Sequence, residues 1–237
     1  MNERELDRLI REKEGILSLA FPALMRKVYI WMTLALAITG ITAYGVATST
    51  NFIYTLAENS WMMWAIVLAE LALVFVLSGR IQKLSLTTAT LLFIAFSALN
   101  GLTLSSIFLL YSMTSIAKVF FITSGTFAVM AFVGYTTKRD LSSMGRILFM
   151  ALIGLIIASL VNMFLKSSGF DLILSYVGVL VFVGLTAWDT QKIKLMLARC
   201  EAPDEEAHKI ALLGSLSLYL DFINLFIYLL RILGNRD

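Results

Sequence analysis

The chain has 237 residues, of which 59% are apolar and only 15% charged, where a typical soluble domain carries about 25% charged residues. That deficit excludes an extramembrane catalytic fold and points to an integral membrane protein, with room for seven or eight spans of about 20 residues each. The net charge of +3 comes from 19 Lys and Arg against 16 Asp and Glu, an excess that in a membrane chain encodes topology rather than nucleic-acid binding.

Residues 1–27 mix Arg4, Arg8, Arg11, Lys13, Arg26 and Lys27 with acids and offer no small-residue cleavage site, so they read as a cytoplasmic tail and not as a cleaved signal peptide. Leu6, Leu9, Ile10 and Leu17 fall near one helical face, which leaves two readings: a short interfacial helix ending at Pro22, or a solvated tail. Apolar stretches then run from Val28 to Ala47, Trp61 to Ser78, Ser85 to Tyr111, Val119 to Tyr135, Ile147 to Leu165, Leu172 to Trp188 and Ile210 to Leu230. Each is bounded by charged or turn-forming residues, and none shows the alternation of a transmembrane strand. The expected organisation is therefore all-α. A single seven-helix domain covers residues 28–234, and 235–237 form a short external C-terminus.

Lys and Arg test this count, because cytoplasmic loops should hold the excess. Six lie in the tail, two in the loop of Arg80 and Lys83, three in the loop of Lys138, Arg139 and Arg146, and four between Lys192 and Lys209. The opposite side holds Lys118, Lys166, Arg231 and Arg236, a split of 15 to 4. Dropping one span would exchange sides for every later loop, so the split supports seven spans with a cytoplasmic N-terminus.

Inside the spans the carboxylates are Glu70 near the middle of the second, Asp221 near the middle of the seventh, and Asp189 at the cytoplasmic end of the sixth. An Asp near a helix centre costs about 2.5–3.5 kcal/mol on insertion scales, so such groups face the bundle interior and mark an ion or proton path. Ser217, Asp221, Asn224 and Tyr228 stack on one face of the last helix, which is otherwise Leu, Ile and Phe. Such a stripe suits either a polar passage at the bundle centre or a polar packing seam. Asn100 and Asn162 fit both roles, with packing the simpler. By spacing alone Asp189 and Asp221 meet only if the seventh helix starts deeper than Ile210 or the sixth continues past Asp189. If they meet in a dry site, both cannot ionise cheaply and they share a proton. Cys200 and His208 sit in the last cytoplasmic loop, where a lone Cys and a lone His give neither an internal disulfide nor a metal cluster.

AWDTQKIK (Ala187 to Lys194), LSLYLDFINLFIYLLRILG (Leu216 to Gly234), LNGLTLSSIF (Leu99 to Phe108) and TKRDLSSMG (Thr137 to Gly145) resemble the motifs of the Bax inhibitor motif family, in its bacterial branch. The resemblance implies six helices wrapped around a central C-terminal one, and a calcium leak regulated by pH. It implies that Asp189 and Asp221 are a proton-sharing pair. Glu70 is implied in the ion path, and Arg80 is the candidate for the basic latch on Asp189 in a closed state. Asn224 and Asn100 complete the candidate path. Glu70 and Asp221 would meet calcium transiently, since calcium takes oxygen ligands and two carboxylates are too few for tight binding.

The expected partners are the lipid bilayer, calcium ions and protons, in a bacterial inner membrane, with no enzyme activity, catalytic residue or cofactor. The alternative function is regulatory, because bacterial relatives in that family are associated with modulating a membrane-anchored ATP-dependent protease. An intramembrane aspartyl protease is disfavoured by the lack of G-x-G-D, and a retinal pump by the lack of a mid-helix Lys in the last span. The charge split argues against a seven-helix receptor, and the lack of a repeat pair against a proton-coupled transporter.

Overall fold

A computed structural model describes residues 3–200 and 202–235, with side chains from residue 21 onward except 53, 56, 57 and 60. The face formed by Leu6, Leu9, Ile10 and Leu17 lies outside the described side chains, and residues 236–237 of the C-terminus expected to be external lie outside the described residues. The order is α1 (Glu3–Ala47), α2 (Thr50–Glu58), α3 (Ser60–Arg80) with a 3₁₀ turn at Ile81–Lys83, α4 (Leu86–Leu104), α5 (Ile107–Leu110), α6 (Met113–Thr136), α7 (Ser142–Leu165), α8 (Ser168–Ala198) and α9 (Glu205–Leu233). Seven helical segments are long and apolar enough to cross a membrane, and no strand occurs among the described residues.

The helices overrun the apolar stretches that announced them. Hydropathy marks only what lipid can touch, whereas the helical hydrogen-bond ladder continues into polar sequence. The first span begins at Phe21, and α1 runs through Pro22 without the stop considered there. A proline deletes one backbone donor, but amides next to a bilayer have no better partner than the helix itself. The third span does break. At Ser105 both the backbone N–H and the hydroxyl donate to the Leu102 carbonyl, at 3.3 and 2.6 Å, which tightens the turn and separates α4 from α5. Side chains of Ser85, Ser112, Ser167 and Asp204 accept backbone N–H bonds at the starts of α4, α6, α8 and α9, so four of the turns are fixed by local capping.

Burial ranks the helices. In α9, 67% of the spanning window is buried, against 6% in each of α3 and α7. α9 packs against α8, α1, α6 and α4, while α3 leans on α4 and α7 on α8. Large apolar side chains such as Phe75, Phe164 and Leu180 point outward, as a lipid-facing surface requires. Interior contact then depends on shape, because lipid is as apolar as leucine. Tyr219, fully buried on α9, takes Phe93 and Phe96 edge-on at 5.9 Å each.

Candidate functional site

The antiparallel packing of α8 on α9 decides whether the two aspartates meet. Gly214 faces the Ile193 side chain and Gly178 faces the Tyr228 ring. This register puts Asp189 level with Ser217 and Leu218, about one turn or 5 Å along the axis from Asp221. α8 continues nine residues past Asp189 to Ala198, which brings the two aspartates near each other, but no hydrogen bond joins their carboxyls among the described residues. The carboxyls lie within electrostatic reach of each other. Asp221 is 4% exposed and its Oδ2 has no hydrogen-bond partner, while Asp189 is half-buried.

Close backbone contact holds Asp189 in place. A Cβ at Gly134 of α6 would collide with the Ala187 carbonyl, and one at Gly145 of α7 with the Trp188 indole. Only glycine lets α6 and α7 close on the two residues preceding Asp189. Just beyond it, the Gln191 side chain accepts from the Leu141 N–H and donates to the Arg139 carbonyl, both at 2.8 Å. Lys194 Nζ donates to the Tyr135 carbonyl at 2.8 Å. Gln191 and Lys194 thus tie α8 to the end of α6 and the α6–α7 connection. In that connection the Ser142 hydroxyl and backbone N–H, with Arg146 adding to them, hold the Asp140 carboxyl below its usual range.

Glu70 belongs to a different cluster. Its Oε1 accepts from the Thr103 hydroxyl at 2.6 Å, and Tyr219 lies within its electrostatic reach. The Thr39 hydroxyl donates to the Ser97 carbonyl at 2.9 Å. That uses its one proton, so the Tyr219 hydroxyl, 2.7 Å away, donates to Thr39 Oγ1. Tyr219 and Asp221 are two residues apart, about 200° around the helix. α9 therefore stands between the acid pair on its α8 side and the Glu70 cluster on its α1 and α4 side. Asn100 is half-buried one turn before Thr103, and Asn224, one turn after Asp221, donates to the Leu220 carbonyl of its own helix. No hydrogen bond among the described residues joins Glu70 or Asn100 to the pair.

Arg80 lies exposed on the last turn of α3 and makes no ion pair with Asp189 among the described residues, because α3 packs on α4 and not on α8. The cation in reach of both aspartates is Lys192, which also stands 4.9 Å over the Trp188 ring. Sequence reasoning passed over Lys192, although its place three residues after Asp189 puts it on the same helical face. It also assigned no role to Gln191, Thr103 or Tyr219, whose partners are distant in sequence. Asn162 proves to be a cap: its Oδ1 accepts from Ser167 N–H at 3.2 Å and its carbonyl from the left-handed Lys166. Cys200 is half-buried, and its thiol is pushed up by burial and then by the carboxylates of Asp204 and Glu206. Among the described residues no three acid, His or Cys groups converge on a metal site.

Seven apolar spans, with one carboxyl buried on the most enclosed helix and a second half-buried on the neighbouring α8, define a polytopic membrane protein with an ionisable interior. Residues 22–237 match the family described as Inhibitor of apoptosis-promoting Bax1, and the chain belongs to that family. It is 52% identical over 213 residues to the inner membrane protein YbhL of Escherichia coli K12, covering 90% of this chain and 91% of that protein. It is also 45% identical over 228 residues to an uncharacterized protein of Borreliella burgdorferi, covering 96% and 97% of the two chains. To the uncharacterized protein RP147 of Rickettsia prowazekii it is 47% identical over 212 residues, covering 90% and 89%.

Proposed function

We propose that this chain is a calcium leak pathway of a bacterial inner membrane, the membrane of its YbhL relative, and that protons on Asp189 and Asp221 set its conductance. The orphaned Oδ2 of Asp221, on the most buried helix and one turn from a second carboxyl, carries this reading. A lone buried carboxyl oxygen is costly, and a chain keeps one where a proton or cation must come and go. Calcium suits the oxygen-only chemistry of Glu70, Asp221, Asn100 and Asn224, and their dispersal favours passage over retention.

The reading is not enzymatic. It assigns gating to the α8–α9 contact, because changing the charge of the pair changes the energy of a contact that glycines have made close. Purified protein in dye-loaded proteoliposomes tests it. Calcium should enter faster than into empty vesicles, at a rate that changes with pH. Entry equal to that of empty vesicles at every pH would favour the regulatory alternative, in which the family fold modulates a membrane-anchored protease.

A further inference from the structure

A lateral groove of about 620 Å³ lies between α1 and α6, floored by Phe222 of α9 and open on one side. It takes no part in the acid pair, and its volume falls within the roughly 300–1,000 Å³ typical of small-molecule sites. Met25, Met32, Leu36, Phe120 and Phe127 make its walls apolar, and no acid lines it. Arg26, Tyr29 and Tyr135 gather at one mouth, while the other polar lining residues, Thr33 and Ser124, spend their hydroxyl protons on the Tyr29 and Phe120 carbonyls of their own helices at 2.8 Å each. Arg26 is exposed and makes no ion pair among the described residues. A second cation stands at the same mouth, where Lys194 Nζ bonds the Tyr135 carbonyl and lies 5.0 Å over its ring. From Arg26 to Leu36 the groove follows ten residues of α1, about 15 Å, which is half of a hydrocarbon core of about 30 Å.

We propose that this groove holds an acyl chain of one anionic phospholipid, with Arg26 and Lys194 binding its phosphate. The length fits one leaflet, the walls fit a hydrocarbon chain, and the two cations sit where that leaflet's headgroups begin. A lipid is also the only apolar solute always present at an opening that faces the bilayer.

The test is native mass spectrometry of full-length protein from detergent doped with phosphatidylglycerol or with phosphatidylcholine of equal chain length. One phosphatidylglycerol should survive activation that strips phosphatidylcholine. Arg26→Gln and Lys194→Gln should each lower its retention by about fivefold, the weight of one cation near an anionic surface. Ala128→Trp, at an exposed position on the groove wall, should displace both lipids while circular dichroism confirms a folded chain. Equal retention of the two lipids by the unmodified protein would overturn the proposal, as would phosphatidylglycerol that persists in folded Ala128→Trp. Equal retention would mean that Arg26 and Lys194 do not select the headgroup, and persistence in Ala128→Trp would mean that the bound lipid lies elsewhere on the surface.

Discussion

Removing one carboxyl of the pair should flatten the pH response of calcium flux. The α8–α9 register sets the aspartates about one turn apart along the axis, so the carboxyls stand roughly 5–8 Å from each other. At an effective dielectric constant of about 20, two like charges at that distance repel by about 2–3 kcal/mol. The repulsion limits how far titration of the pair can bias two conformations, and at about 1.4 kcal/mol per decade the ceiling is roughly 30- to 150-fold. Asp221→Asn and Asp189→Asn keep the side-chain shape and remove the second charge. Each should therefore collapse the dependence of flux across about pH 5 to pH 8. The double variant should add little, because the two groups act as a unit. Lys192→Gln, which removes the cation in reach of both, should move the pH response along the axis without flattening it. Proteoliposome flux at matched protein density reads all four variants. A full wild-type pH response in both single Asn variants would refute the pair as the sensor and make His208 the next group to test.

Glu70→Gln keeps an acceptor for Thr103, so the protein should stay folded while calcium flux falls at every pH; unchanged flux would reduce Glu70 to a helix contact. Gln191→Ala deletes two hydrogen bonds of 2.8 Å. At about 1 kcal/mol each this should lower the thermal midpoint of detergent-purified protein by about 4–8 °C, and an unchanged midpoint would show that the α6–α7 connection is held by other contacts. A membrane-impermeant maleimide should reach Cys200 only after permeabilisation, because the basic loops predict a cytoplasmic position. The labelling needs alkaline buffer, since burial and the nearby carboxylates push the thiol up. Modification in intact cells would invert the topology.

Span number, helical class and the positions of the ionisable groups could be read from the sequence because each is a local property. Hydropathy is a sum over neighbouring residues, and a carboxylate inside an apolar stretch is visible without knowing what faces it. The motifs around Asp189 and Asp221 carried the family for the same reason. Three-dimensional packing decided what those groups meet. Asp189 comes within about one turn of Asp221 because α8 runs on to Ala198 and because Gly178 and Gly214 fix its register on α9. Glu70 falls on the far side of α9 because Tyr219 and Asp221 point in opposite directions, and Arg80 stands away from Asp189 because α3 packs on α4. Register and rotation between helices are set by contacts between residues far apart in the chain, and in a bilayer, where every helix is apolar, the pattern of polarity alone cannot specify them.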